Sequence, residues 1–210
     1  MITNTMSQFL GLCHQKKFAA KEILHRPGEE IDTLSYIIDG SVVVYVTEEG
    51  SEIILAYINA GEFIGEMGVF DETKTIREST IKVRKSCTLA QISYQRLRES
   101  LSSELRHNAT DMLYMFGKQL TKRLSNTSRR IKDMAFLDIE GRIAQTLLDL
   151  TSEPDSMSHP EGTLIKITRQ ELSHLVACSR EMAGQALKSL EKKGLVMAHG
   201  KSIVIIGEYK

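Results

Sequence analysis

Residues 167–195 read "ITRQELSHLVACSREMAGQALKSLEKKGL", and their apolar spacing predicts two short helices. Thr168 and Glu171 have the T-x-x-E spacing of a capping box, which begins a helix. Ser179 is the expected N-cap of the second helix, and Gly194 ends it. Two short helices joined by a tight turn predict a helix-turn-helix.

The two predicted helices each carry an apolar face. These apolar side chains are expected to pack together: Leu172, Leu175, Val176, Ala183, Ala186, Leu187 and Leu190. Opposite them, the second helix presents a polar stripe: Arg180, Glu181, Gly184, Gln185 and Lys188. In a DNA major groove, arginine reads guanine, glutamate accepts from cytosine N4, glutamine reads adenine and lysine reaches phosphate. The stripe therefore carries the side chains that DNA reading requires.

A solvated face on an ordinary helical hairpin is the alternative interpretation of this stripe. Against it, basic residues gather in the region with few acids: Arg169, Arg180, Lys188, Lys192, Lys193 and Lys201. The sequence "VMAHGKSIVII" at 196–206 then predicts a β-hairpin placed like a wing. We therefore predict that double-stranded DNA is bound through Thr168, Arg169, Gln170, Ser179, Arg180, Glu181, Gln185, Lys188 and Lys201.

Residues 23–92 have the pattern of a β domain. The apolar runs "TLSYII", "SVVVYV" and "EIILAYI" are rich in β-branched and aromatic residues and have the length of strands. Turn residues separate them, for example at Asp39-Gly40, 48–50 and 59–61. Short strands at this spacing predict a small barrel or jelly roll, which we assign to residues 1–107.

Residues 108–137 are expected to form one long helix. Apolar or small residues recur on it at alternating steps of four and three: Leu113, Gly117, Leu120, Leu124, Thr127, Ile131 and Met134. This is a heptad seam, and it predicts a parallel homodimer. The alternative, a helix packed only on its own barrel, normally needs a wider apolar face. The remaining residues, 138–210, form the predicted DNA-binding domain, so the expected fold class is α+β.

The composition restricts the possible functions. Lys plus Arg and Asp plus Glu each total 27, so the net charge indicates no particular partner. The three cysteines and six histidines lack metal-ligand spacing, which predicts neither a metal site nor disulfides. No apolar stretch is long enough for a membrane span and no secretory signal is evident, so we expect a cytoplasmic protein without membrane contact.

The chain is similar to the cAMP receptor protein (catabolite activator) family of the CRP/FNR superfamily. The resemblance covers nearly the whole chain and rests on "GEFIGEMGVF" (61–70), "KRLSNTSRRI" (122–131), "AFLDIEGRIAQTLLDL" (135–150) and the helix-turn-helix stretch. It implies a bacterial transcription regulator with a cyclic-nucleotide-binding β-roll, a long dimerisation helix and a C-terminal winged helix-turn-helix. It also implies cAMP as the ligand.

Family positions that contact the nucleotide correspond here to Gly65, Glu66, Met67, Arg77, Glu78, Ser79, Arg123, Thr127 and Ser128. The resemblance implies that Glu66 meets the ribose hydroxyl and that Arg77 balances the phosphate. A guanidinium with backbone donors suits a cyclic phosphodiester, whereas a carboxylate suits a hydroxyl group. Thr127 and Ser128 would reach the adenine from the two subunits.

Glu78 departs from the family, which usually has a serine or threonine at this position. A carboxylate repels phosphate, so three interpretations stay open. In the first, Glu78 points to solvent and Ser79 supplies the hydroxyl group. In the second, Glu78 pairs with Arg77 and the apoprotein binds DNA without ligand. In the third, the chain resembles the CRP-like branch of plant-pathogen regulators, which bind DNA without ligand and are released by cyclic di-GMP.

Gln185 is a second departure, because the family commonly has arginine there. Arg180 and Glu181 are kept, so the resemblance implies TGTGA-like half-sites with relaxed selection at the base that faces Gln185. The family also contacts the C-terminal domain of the RNA polymerase α subunit. The corresponding positions here are Ser158, His159 and Gly162, with a second patch at His14, Lys16 and Arg96.

Two other classes of protein compete with a ligand-controlled regulator. An enzyme on a cupin-like barrel would need metal ligands or a nucleophile-base pair, and the histidine spacing offers neither. A signalling module without DNA binding would lack the basic polar stripe. We therefore predict that the protein is not an enzyme.

Overall fold

The structure is a computed structural model that describes residues 2–71 and 78–207, and the side chains from residue 4 onward. Arg77, which was predicted to balance a phosphate, lies outside the described residues. The chain divides into two compact units, Met1–Val46 with Leu55–Thr127, and Thr47–Ile54 with Ser128–Lys210. The three-part division expected from the sequence remains a prediction.

The first unit is built on an antiparallel β-sheet flanked by helices. Its strands are β1 (His14–Phe18), β2 (Ile23–His25), β3 (Thr33–Glu48), β4 (Ser51–Asn59), β5 (Phe63–Ile64) and β6 (Thr80–Ser93). The sheet order is β1-β6-β3-β4, with β2 paired to β6 and β5 paired to β3. The helices are α1 (Ile2–Gly11), α2 (Met67–Phe70), α3 (Tyr94–Ser102) and a 3-10 turn at Arg106–Asn108 before α4 (Ala109–Phe136).

The predicted turn at Asp39-Gly40 is wrong. The runs "TLSYII" and "SVVVYV" belong to the single strand β3, whose pairing with β6 shifts register around Asp39 and Ser41. Gly40 has φ +89°, and a Cβ there would lie 2.3 Å from the Ser86 carbonyl oxygen. Glycine therefore makes a bulge against β6 instead of ending the strand.

Two apolar clusters hold the first unit together. One lies within the sheet and includes Ile37, Val42, Ile64 and Ile81. The other joins the sheet to the helices: Phe9, Leu34, Phe63, Ile92, Tyr94, Leu97, Leu105, Met112 and Phe116. The Phe63 ring packs edge-on against the Phe116 ring at a centroid distance of 4.9 Å. The second cluster thus fixes the start of α4 against the segment that contains β5 and α2.

The predicted long helix is present as α4, with 28 residues. Met112 and Phe116 on one face are buried, whereas Leu124, Ile131 and Met134 on the predicted seam are 58–69% exposed. The packing on the first unit thus uses a different face from the heptad seam. In a single chain, these residues of the seam are therefore exposed to solvent.

From residue 138 to residue 207, the second unit contains a small sheet and three helices. Its helices are α5 (Ile139–Thr151), α6 (Arg169–Val176) and α7 (Arg180–Lys192), and its strands are β7 (Met157–His159), β8 (Gly162–Lys166), β9 (Val196–His199) and β10 (Ser202–Ile206). The sheet order is β7-β8-β10-β9. The predicted wing hairpin is β9 with β10. The Pro-, Ser- and Gly-containing stretch "TSEPDSMSHPEGT" at 151–163 has the composition that predicts a loop, but it contains β7 and the start of β8, because β7 pairs with β8 and β8 pairs with β10.

Candidate functional site

The helix-turn-helix begins and ends at the residues predicted from the sequence. The Thr168 hydroxyl accepts a hydrogen bond from the Glu171 amide, and the Ser179 hydroxyl accepts one from the Met182 amide, so both serve as N-caps. Between the helices, Ala177 adopts the left-handed conformation at φ +54°, which closes the turn. Each cap satisfies an amide that would otherwise lack a partner at the helix start.

The predicted inner faces of α6 and α7 form the core of this domain. Leu172, Ala183 and Leu187 have almost no exposed surface, and Leu175, Val176, Ala186 and Leu190 are buried with them. On the opposite side of α7, Arg180, Glu181, Gln185 and Lys188 are exposed and Gly184 is half-buried. Arg169 and Gln170 at the start of α6 are also exposed, as is Lys201 in the wing turn. The predicted DNA-reading stripe is therefore accessible on one helix face.

Glu181 lies in the first turn of α7 and is held in its ionised form. Hydrogen bonds from its own backbone amide and from the Ser179 hydroxyl lower the pKa of its carboxyl group below the usual value, and Arg180 adds a favourable charge. An ionised carboxylate is purely an acceptor, as contact with a cytosine amino group requires. The Ser179 hydroxyl thus caps the helix and also favours the ionised form of Glu181.

A second candidate site surrounds Glu66, at the start of α2. Its side chain is completely buried, and Oε1 forms an ion pair with Nη1 of Arg123 on α4, whereas Oε2 has no hydrogen-bond partner among residues 2–71 and 78–207. Arg123 also donates from Nη2 to the Phe63 carbonyl oxygen at 2.8 Å. Two predicted nucleotide contacts from distant parts of the sequence therefore meet in the first unit. Within the described part of the chain, Oε2 of Glu66 is an acceptor without a donor.

The backbone before Glu66 is fixed by a residue that the sequence analysis missed. The Tyr94 hydroxyl donates to the Gly65 carbonyl oxygen at 2.8 Å, and Gly65 has φ +95°. A Cβ on Gly68 would lie 2.5 Å from the same hydroxyl oxygen, so only glycine fits there. Tyr94 follows a strand with no local signal for this role, and only the fold brings it to the turn.

Gln119 is a second positioning residue that the sequence did not reveal. Its Oε1 accepts from the Phe63 amide and its Nε2 donates to the Phe63 carbonyl oxygen, each at 2.8 Å. Gln119 thus connects α4 to β5 by bonding both the amide and the carbonyl group of Phe63, as the backbone of a paired strand would. Its spacing of four residues from Arg123 places both on one helix face, which was the available signal.

The remaining predicted nucleotide contacts in the described residues are exposed or partly buried. Glu78 is exposed and Ser79 is partly buried, just before β6. Met67 is 60% exposed at the start of α2. Thr127 and Ser128 are exposed on α4, beyond Arg123. Their nucleotide contacts stay predictions.

The predicted polymerase contacts lie in both units. Ser158 and His159 are in β7, and Gly162, with φ +149°, begins β8, where a Cβ would lie 1.9 Å from the Ile205 carbonyl oxygen. Gly162 therefore has a structural reason to be glycine. In the first unit, His14 and Lys16 are exposed on β1, and Arg96 on α3 pairs with Glu104.

Metal sites and membrane-spanning helices are absent from the described part of the chain. Across residues 2–71 and 78–207, no cluster of His, Cys, Asp or Glu side chains could hold a metal ion. In the same residues, no helix has the length and apolar character for crossing a membrane.

Comparison with known proteins agrees with this two-part construction. Residues 15–104 match the model of the cyclic nucleotide-binding domain, and residues 141–208 match that of the Crp-like helix-turn-helix domain. The CRP-like protein Clp of Xanthomonas oryzae pv. oryzae is 45% identical over 204 residues, which cover 97% of this chain and 88% of that protein. Clp of Xanthomonas campestris pv. campestris has the same identity and coverage.

Solved structures extend the similarity to three dimensions. The c-di-GMP responsive global regulator CLP of Xanthomonas campestris has a TM-score of 0.89 and 44% identity, covering 98% of this chain and 99% of that one. A CRP/FNR-family transcriptional regulator from Thermus thermophilus, at 21% identity, shares the fold with a TM-score of 0.75, covering 92% and 94% of the two chains. With its cyclic nucleotide-binding domain and its Crp-like helix-turn-helix, this chain belongs to the CRP family of transcription regulators.

Proposed function

We propose that the protein is a homodimeric transcription regulator whose binding to palindromic DNA is controlled by a cyclic nucleotide. The observation that carries the proposal is the exposed polar stripe of α7, with Arg180, Glu181, Gln185 and Lys188 opposite a fully buried apolar face. This stripe would enter the major groove, and the inner bases of a TGTGA-like half-site would be read by Arg180 and Glu181.

The homodimer is supported by the seam of α4. Leu124, Ile131 and Met134 remain largely exposed although a neighbouring face of the helix, with Met112 and Phe116, is packed. Exposed apolar residues in a heptad pattern are stabilised by a second, parallel helix. Two copies would also present two recognition helices, which is what a palindromic operator requires.

cAMP is the first candidate ligand. The buried Glu66 has one oxygen bound by Arg123 and one without a partner in the segments that the structure describes, and a ribose hydroxyl would supply a donor for it. Glu78 is exposed, so its side chain does not occupy the buried site around Glu66. Thr127 and Ser128 would then contact the base from the two helices, which links ligand binding to helix packing.

Cyclic di-GMP, acting by release from DNA, is the second candidate. It is favoured by the 45% identity to Clp, because the solved CLP structure is that of a c-di-GMP responsive global regulator. It is also favoured by the Glu66–Arg123 ion pair, which compensates both charges without any ligand. An apoprotein in which Glu66 and Arg123 already pair would need no ligand to balance these two charges.

The test is a titration of the apoprotein onto a labelled TGTGA palindrome at constant salt, without ligand, with cAMP, and with cyclic di-GMP. Salt is fixed because phosphate contacts make every DNA affinity salt-dependent. Binding that requires cAMP supports the first ligand, and binding of the apoprotein with release by cyclic di-GMP supports the second. Arg180→Ala should weaken operator binding about tenfold or more in either case, whereas Met157→Ala, on β7, should not. Equal binding to operator and random DNA in all states would refute the proposal.

We propose two further properties for this regulator. It acts in the cytoplasm and not as an enzyme, in keeping with relatives that are transcription regulators. It contacts the RNA polymerase α subunit through the segment around Ser158 and His159, which is exposed or half-buried at the edge strand β7. An edge strand with polar side chains is an accessible surface for a protein partner.

A further inference from the structure

Met182 is an apolar side chain in the first turn of the recognition helix α7. It is 42% exposed and directly follows Arg180 and Glu181 in the sequence. The first residues of a recognition helix are those that contact base edges. Met182 therefore lies beside the side chains that are proposed to contact base edges, although its own side chain has no conventional hydrogen-bond donor.

The position of Met182 is fixed by the helix cap. Its backbone amide donates to the Ser179 hydroxyl at 3.2 Å, so this turn is anchored. With 3.6 residues per turn, Met182 lies around the axis of α7 between Gln185 of the exposed stripe and Ala186 of the buried face. On a helix, residues three apart are surface neighbours, so Met182 and Gln185 lie side by side.

This pairing of side chains matches one particular base pair. In the major groove an A·T pair shows N6 and N7 of adenine, which a glutamine amide can bind, beside the C5-methyl group of thymine, which takes apolar contacts. A thioether is flexible and polarisable, so it can adapt to a methyl group. Resting on the DNA binding proposed above, we propose that Met182 determines specificity by contacting a thymine methyl group beside the base that faces Gln185.

A thymine methyl contact can be tested by removing only the methyl group. Each thymine of the TGTGA palindrome is replaced in turn by deoxyuridine in both half-sites, and Kd is measured by fluorescence anisotropy in the ligand state that gives operator binding. Burying one methyl group corresponds to about a fourfold change in Kd per half-site and about fifteenfold for both. We expect one thymine position to show this loss with the parent protein.

Three variants assign the contact to Met182. Met182→Ala should bind the thymine and deoxyuridine operators equally, whereas Met182→Leu should keep most of the discrimination because it remains apolar. The matched control is Met157→Ala, since Met157 is 39% exposed in the same unit but lies on β7, and it should discriminate like the parent. Circular dichroism of each variant checks that the helices are retained.

The outcomes separate this inference from the proposed function. If the parent protein binds the operator but no thymine position discriminates, or if Met182→Ala discriminates as the parent does, the inference is overturned and DNA binding stands. If the parent protein does not bind the operator in any ligand state, the proposed function fails, and the inference fails with it.

Discussion

Replacing Arg123 with methionine tests the charge arrangement around Glu66. The Glu66 carboxylate has no exposed surface, and 31% of the Arg123 side chain is exposed. Removing one partner of a fully buried ion pair costs about 3–5 kcal/mol, because a buried charge is left uncompensated. Water reaches part of Arg123, so we expect Arg123→Met to lower the free energy of unfolding by about 2–3 kcal/mol.

Replacing Glu66 instead of Arg123 should lower the free energy of unfolding by a smaller amount. In Glu66→Gln, Arg123 keeps its hydrogen bond to the Phe63 carbonyl oxygen and its partial hydration, so we expect a loss of about 1 kcal/mol. Lys122→Met is the matched control, because the neighbouring Lys122 pairs with Glu62 at 3.0 Å while remaining 67% exposed. An exposed pair of this kind contributes about 0.5 kcal/mol or less.

Urea denaturation of the apoprotein, followed by circular dichroism, measures these differences. Protein concentration is held constant, because the stability of a dimer depends on it. The double variant Glu66→Gln, Arg123→Met completes a thermodynamic cycle that isolates the coupling between the two side chains. The reasoning is refuted if Arg123→Met costs no more than Lys122→Met, or if Glu66→Gln costs more than Arg123→Met.

Three further perturbations test the fold. Gly40→Ala should destabilise the protein by about 2 kcal/mol or more in thermal denaturation, because a Cβ there collides with the backbone. The control is Gly50→Ala: Gly50 has φ +80° but lies in open space, so this change should destabilise the protein by about 1 kcal/mol. Ser179→Ala should lower the stability of the DNA-binding domain by about 1 kcal/mol through loss of the N-cap, measured by the same method, and an unchanged midpoint would contradict the capping role. Leu124→Asp should convert dimer to monomer in light scattering, while Ser125→Asp, beside the seam, should remain dimeric; two dimers would argue against the α4 interface.

The sequence determined most about this protein where the signals are local. Thr168 and Ser179 cap helices whose partner amides are three residues away, and the apolar spacing of α6 and α7 repeats within two turns. Such short-range patterns can be recognised in the sequence without knowledge of the rest of the fold. The helix-turn-helix, the exposed polar face of α7 and the limits of α4 were therefore predictable.

Tertiary structure decided the features that depend on distant partners. Asp39-Gly40 has the composition of a turn, yet β6 pairs on both sides of it and makes it a bulge. The segment before α6 contains turn residues, and its pairing with β10 turns it into a sheet edge. Local composition cannot distinguish these outcomes, because each depends on a strand far away in the sequence.

The candidate nucleotide site shows the same division. The resemblance placed Glu66 and Arg123 in one site, but only the structure shows their direct ion pair and a Glu66 oxygen with no partner in residues 2–71 and 78–207. Gln119 and Tyr94 support this site across 56 and 29 residues of sequence; the spacing of Gln119 from Arg123 was its one local signal, and Tyr94 had none. Residue types and helix caps are set by the chain itself, whereas buried polar contacts arise only when the fold removes water from groups that are distant in sequence.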